Sequence, residues 1–337
     1  MMEYELFKGI VEEKILNYMG PEYANASVDV RPIHKVNQTL DALSIHNGEH
    51  EKISANIYIN NMYEQYLKTE DLQQVLMDAA NFYQRANEKV PVEYKELKFE
   101  NVLDNVVFSL VNKEQNQEML SKVVHREFQD MAVVYRWLVT KSEESISTSI
   151  VTNRLAESLN ISEQQLYEHA MKNTPELMPM KVKSLFDVVM DTFCSESGVT
   201  REDAMEIGLF MMGSPSSETE SIYVISNEMG IQGASAILLS DEMAKVADMV
   251  GTDLYLLPSS IHEMLAISTE FGSPEILQEM VQDVNMNAVS VKERLSNNVY
   301  LFDRETRTIS MATDVPNKNL GCVVAEELSR YDNEPSR

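Results

Sequence analysis

Apolar residues first recur at helical spacing. Phe7, Ile10, Val11, Ile15 and Met19 share one face, which predicts an amphipathic helix stopped by Gly20-Pro21. The spacing then changes to alternation: Val28 and Val30, Leu43 and Ile45, then Ile53, Ala55, Ile57 and Ile59. Alternation predicts strands with one buried and one wet face, as in an antiparallel meander, with Asn47-Gly48 as a hairpin signal. Leu72, Val75, Leu76, Ala79 and Ala80 restore the helical period over residues 71–83.

After Pro91 the pattern predicts a strand through Val106, Phe108 and Leu110, then a short polar helix over 113–121. Residues 131–139 are apolar on both faces, as a central strand must be, and 145–150 reads as its partner. Ser162-Glu163-Gln164-Gln165 is a capping box opening a helix that Pro175 closes. Strands are expected at 223–225 and 236–239, and a helix capped by Ser240 and ended by Gly251 follows. A strand at 254–257, a return strand at 261–267, a helix opened by Ser273-Pro274-Glu275, a capping box at Ser290 and a hairpin at 299–302 and 308–311 complete the pattern. The expected fold is α+β, with mixed, mostly antiparallel sheets in two lobes and peripheral helices. The expected division is an N-terminal lobe over 1–120 and a C-terminal lobe over 121–312 carrying a Met-rich acidic insertion near 191–219. A polar tail spans 313–337.

Composition narrows the class. With 337 residues, 44% of them hydrophobic, the chain can bury a core without staples. Cys194 and Cys322 lie far apart with no CxxC or Cys/His spacing, which argues against structural zinc and for a reducing compartment. The opening Met1-Met2-Glu3-Tyr4-Glu5 is acidic, unlike a signal peptide, and no apolar run approaches the ~18 residues of a membrane span. A cytoplasmic location is expected. The formal charge is −26, and from Asp191 to Glu270 there are 14 acidic residues against two basic ones, Arg201 and Lys245. Such a field repels nucleic acid and anionic membranes and suits a basic protein partner.

Three clusters offer chemistry. Ser259, Ser260, His262 and Glu263 follow an apolar strand and Pro258. They supply a hydroxyl, an imidazole and a carboxylate, but on a strand Ser260 and His262 stand ~7 Å apart and no GxSxG elbow is present. His125, Arg126, Glu127 and Asp130 precede the central strand, where open sheets place their sites. His125, Glu127, Asp130, His262 and Glu263 together carry donors for a divalent metal, although HExxH is absent. The competing reading of each cluster is a hydrogen-bonded turn. Lys35, Asn37 and Asp41 alternate along one face of an extended segment, as a nuclease metal site would use them, or as an ordinary wet sheet face. Neither GxxxxGK nor GxGxxG occurs, so no cofactor is expected.

Several runs carry a resemblance. They are residues 35–43 (Lys-Val-Asn-Gln-Thr-Leu-Asp-Ala-Leu), 125–136, 170–175 with Asn173, 256–263 and 295–303. Together they resemble a family of cytosolic proteins of anaerobic bacteria, classed as a domain of unknown function and often carried on mobile elements. The second half is distantly similar to another such bacterial family, in which the His262-Glu263 pair is replaced. The resemblance implies one fold over roughly residues 3–312 and no reaction. It adds Asn173 to Lys35, Asn37, Asp41, Arg126, Ser259 and Ser260 as candidate binding residues. The expected function is a non-catalytic acidic interaction or accessory protein; the alternative is a metal-dependent hydrolase or nuclease.

Overall fold

A computed structural model describes residues 2–47, 56–88, 101–141, 146–204 and 222–317. The expected Asn47-Gly48 hairpin, the strand positions at 53 and 55, and much of the Met-rich insertion and tail lie outside these residues. The chain forms two compact units, residues 1–100 and 101–337. Its fold class is α+β, and the paired strands run antiparallel in three sheets.

In the first unit, β1 (Ser27–Lys35), β2 (Gln38–His46) and β3 (Asn56–Tyr58) form a meander. Helices α1 (Tyr4–Lys14), α2 (Ile59–Thr69) and α3 (Leu72–Glu88) supply the rest of its core. Phe7, Val11 and Ile15 from the first helical stripe pack with Leu43, Ile45, Ile57, Met62, Leu76 and Tyr83. The β1–β2 turn is Val36-Asn37, with Lys35 paired to Gln38 and Asn37 at φ 58°. Asparagine tolerates that left-handed geometry, so the extended run expected over 35–41 is instead a hairpin.

The second unit holds two sheets. In the four-stranded one, β6 (Met131–Lys141) is central. It pairs with β4 (Val106–Asn112) on one edge and with β5 (His125–Phe128) and β7 (Ile146–Ile150) on the other. The long apolar run thus occupies the inner strand. Because β4 pairs with β6 over seven positions, a lobe boundary at residue 120 would cut a sheet; the division falls at 100–101. A short helix α4 (Gln117–Leu120) bridges β4 and β5. Helices α5 (Asn153–Leu159) and α6 (Glu163–Leu177) follow, and the Ser162–Gln165 capping box opens α6. Helix α6 runs through Pro175 to Leu177 rather than ending there. Asn173 Nδ2 donates to the Leu103 and Val106 carbonyls, and Thr174 Oγ1 accepts the Phe108 N–H, so the last turn is tied to β4.

The six-stranded sheet has the order β13-β12-β10-β11-β9-β8, built from β8 (Met180–Ser184), β9 (Ile222–Asn227), β10 (Leu254–Ser260), β11 (Glu263–Ser268), β12 (Tyr300–Asp303) and β13 (Thr308–Met311). Helices α7 (Leu185–Ser197), α8 (Ser240–Val250) and α9 (Pro274–Asn287) accompany it. Leu277 and Val281 of α9 pack on Leu257, Ile267 and Val299. Of residues 236–239, expected as strand, 236–238 belong to a 3-10 helix, Gly233–Leu238, which touches β4, β9 and β11, and Leu239 caps it. Gly233 lets this turn approach closely: a Cβ there would lie 2.3 Å from Ser226 Oγ and 2.6 Å from the His262 carbonyl oxygen. The Ser290 capping box is not made; only a 3-10 turn, Val291–Glu293, follows it.

Candidate functional site

The most connected side chain is Asp130, in the two-residue turn between β5 and β6. Its Oδ2 accepts from Ser296 Oγ at 2.6 Å, Asn317 Nδ2 at 2.7 Å and Asn298 Nδ2 at 3.1 Å, and its Oδ1 accepts from the Tyr300 hydroxyl. An ionised carboxylate offers about four acceptor positions, and four donors reach this one. Ser296, Asn298 and Tyr300 are fully buried. Burial, then the charge and hydrogen bond of Asp130, push the Tyr300 phenol well above its usual pKa. The network extends outward. Asn298 also holds the Val315 backbone at both its N–H and C=O, Asn285 donates to the Ser296 carbonyl, and Asn112 donates to the Leu295 carbonyl. A run of polar residues, 296–298, thus enters the interior because each of its side chains finds a hydrogen-bond partner.

Arg126 is the centre of a second group. Its guanidinium makes a two-point contact with Glu163, Nε to Oε1 at 2.9 Å and Nη2 to Oε2 at 2.8 Å, and stacks 3.7 Å above the Tyr167 ring. The buried Tyr135 hydroxyl donates to the same Glu163 oxygen. Burial opposes the Glu163 charge, but hydrogen bonds from Arg126 and Tyr135 outweigh it and hold the carboxyl below its usual range. The same carboxylate raises the Arg126 pKa through its hydrogen bond. This arrangement clamps the start of α6 to the four-stranded sheet.

The Ser259–Glu263 cluster does not align a nucleophile with a base. Ser260 and Glu263 close a hairpin with Ile261-His262 at its tip, so His262 does not share a strand face with Ser260. The pairing shifts between Pro258 and Ser260, and pairing of β10 with β12 ends at Leu256, so Pro258 interrupts no bond of that ladder. Ser260 Oγ accepts the backbone N–H of His262, while the imidazole Nδ1 accepts the Gln232 N–H at 3.1 Å. Ser259 Oγ donates to Glu263 Oε1 at 2.9 Å. The cluster fastens the hairpin tip to the 3-10 turn.

The proposed metal ligands are therefore dispersed among separate partners. Asp130 accepts from four donors, Glu127 pairs with Lys113 at 2.7 Å on the surface, and Glu263 is bound to Ser259. His125 Nδ1 lies 3.1 Å from the Val123 carbonyl, to which it donates. Among the described residues, no group of three His, Cys, Asp or Glu side chains converges as a metal site. Among the described residues, a cleft of about 600 Å³ opens beside Asn153, Asn160 and Gln165 and one of about 390 Å³ beside Lys183, Tyr223 and Met249. None of the five candidate ligands lines either cleft.

In the first unit, Asp41 accepts from the Tyr4 hydroxyl at 2.8 Å and pairs with Lys8 at 2.9 Å. Lys35 Nζ sits 4.2 Å from the Tyr58 ring centroid, and Asn37 occupies the hairpin turn. The three do not form the alternating face that nuclease chemistry requires. Tyr4, Glu163, Ser296, Asn298 and Tyr300 escaped the sequence reading as site partners. The one available signal was the polar run 296–298 between Leu295 and Val299, just before a strand.

An antiparallel α+β protein with internally satisfied polar clusters is the class these observations define. The chain belongs to a family of unknown function (DUF5688), whose model matches residues 4–304 and so spans both units. No curated protein and no solved structure matches it. Among the described residues, no helix is long and apolar enough to cross a membrane.

Proposed function

We propose that this chain is a non-catalytic interaction protein whose negative surface engages a basic protein partner in the cytosol. One observation carries the reading: a tract of surface carboxylates of which Asp248 pairs with Arg304 and four others have no ion-pair partner among the described residues. Arg201 is committed to Asp187 and Asp191, and Lys245 to Glu242. No Lys or Arg occurs between Lys245 and Lys292. Within that tract Glu270, Glu275, Glu279 and Asp283 are exposed, and none has an ion-pair partner among the described residues. Uncompensated charge of one sign speeds encounter with the opposite sign and weakens when salt shortens its range. The resemblance to proteins of mobile elements adds an accessory role to the same reading.

The test is affinity capture from host lysate at about 50 mM and about 400 mM salt. Enrichment of basic proteins at low salt, lost at high salt, supports the reading. A retained set with no basic bias, or retention indifferent to salt, overturns it.

A further inference from the structure

Helix α9 carries three parallel stripes. Leu277 and Val281 pack on the six-stranded sheet, Asn285 donates to Ser296 and Asn297 just before β12, and all three are buried. One position back, Ile276, Met280 and Val284 stand 61%, 54% and 46% exposed. One position further back, Glu275, Glu279 and Asp283 are exposed as well. Each stripe repeats at i, i+4 and i+8, so it forms a continuous ridge about 12 Å long. The apolar arc of α9 is therefore wider than the sheet beneath it covers. Surface helices usually turn polar at the edge of the buried stripe; this one places an apolar ridge there and an acidic ridge beyond it. Phe271, 39% exposed, precedes the helix.

Resting on the interaction reading above, we infer that this face of α9 docks a basic amphipathic helix of a partner protein. The occupant must be apolar on the side that meets Ile276, Met280 and Val284, with anchors spaced over two to three turns. Beside those anchors it must carry Lys or Arg opposite Glu275, Glu279 and Asp283. Charge selects this occupant over two others. In an antiparallel symmetric pairing with a second copy, each acidic ridge would lie along its like-charged mate. An anionic lipid surface would be repelled by the same ridge. A basic helix satisfies both ridges at once, in the helix-in-groove mode of peptide recognition.

The probe is a synthetic helical peptide of Leu and Lys with Leu at i, i+3, i+4 and i+7, compared with a scrambled peptide of the same composition. Binding to the full chain is read by fluorescence anisotropy. The inference expects the amphipathic peptide to bind at least about tenfold more tightly than the scramble, a difference of about 1.4 kcal/mol. Met280→Asp, and separately the pair Glu279→Lys with Asp283→Lys, should each weaken it about tenfold or more. These side chains are exposed, so the melting temperature should stay unchanged and a folding defect is separable. If wild type binds and both variants bind equally well, the α9 inference fails while the wider interaction reading stands. The inference also fails if the scramble binds as tightly, or if sedimentation shows a dimer that Met280→Asp dissociates. If the chain binds neither peptide at low salt, both readings fail.

Discussion

Asp130, in the turn between β5 and β6, accepts the phenolic hydrogen of Tyr300, 170 positions along the chain at the start of β12. The turn belongs to the four-stranded sheet and Tyr300 to the six-stranded one, so the hydrogen bond joins the two sheets of the second unit. Three further donors reach the same carboxylate, two of them from the segment that leads into β12. Asp130 thus acts as an architectural fastening.

Removing it should be expensive. Asp130→Ala leaves the buried Tyr300 and Ser296 hydroxyls and the Asn298 amide without their acceptor, at a cost of about 3 kcal/mol or more. Urea denaturation measures this through the transition of the second unit. Glu127→Ala, two strand positions before the same turn, removes only an exposed pair with Lys113 and should leave that transition in place. Equal losses from the two substitutions would contradict the assignment.

Gly233→Ala tests the contact of the 3-10 turn with the β10–β11 hairpin. The added carbon would stand 2.7 Å from the Asn227 nitrogen and closer still to Ser226 and His262. Two of these three atoms are backbone, so relief requires moving the turn, and a loss of about 2 kcal/mol is expected. A neutral result would show that the turn is not packed as described.

Acid should weaken both units. Burial opposes ionisation of Glu163 and Asp41, but Arg126 and Tyr135, and Lys8 and Tyr4, more than compensate and lower both carboxyls. Stability gained from a lowered carboxyl is present above its ordinary value, 4.5 for Glu163 and 3.8 for Asp41, and is lost as pH falls through the lowered one. The midpoint of denaturation, followed from pH 6 down to about pH 3, should fall in both units. Glu163→Gln should flatten the fall in the second unit alone and Asp41→Asn in the first alone. An unchanged slope in either variant would remove that residue from the explanation.

The two histidines should show opposite tautomers. His262 Nδ1 accepts from the Gln232 N–H, which leaves its neutral-form proton on Nε2; His125 Nδ1 donates to the Val123 carbonyl, which places its proton on Nδ1. Imidazole nitrogen shifts at neutral pH distinguish the two. The same tautomer at both would contradict this pair of hydrogen bonds.

Parts of this fold are legible in the sequence for definite reasons. The run at 131–139 is apolar on both faces, and only an inner strand uses such a run, so β6 could be read directly. The Ser162 capping box is a local reciprocal bond and is equally visible. By contrast, Ala236-Ile237-Leu238-Leu239 is a short apolar run whose period does not separate strand from helix, and its first three residues end a 3-10 turn. Helix α2 was hidden because it buries only Ile59, Met62 and Tyr66 among polar neighbours, after an alternating run that leads into it.

The polar clusters were located by sequence but their roles were not. Asp130, Arg126 and His262 stand out as polar groups beside apolar strands. Their partners Tyr300, Glu163 and Gln232 lie 170, 37 and 30 positions away. Residue type and spacing cannot distinguish a carboxylate awaiting a metal from one already surrounded by donors. Only the tertiary arrangement shows that four donors converge on Asp130.

The central claim is that His125, Glu127, Asp130, His262 and Glu263 are each engaged by a separate partner and do not converge on one metal ion. Thermal melting of the full chain with and without saturating Zn²⁺, Mn²⁺ or Mg²⁺ tests it most directly, since a ligand at 100 times its Kd stabilises by about 2.7 kcal/mol. The account predicts transitions that stay in place with each ion. A rise of several degrees that both His125→Ala and His262→Ala abolish would contradict it.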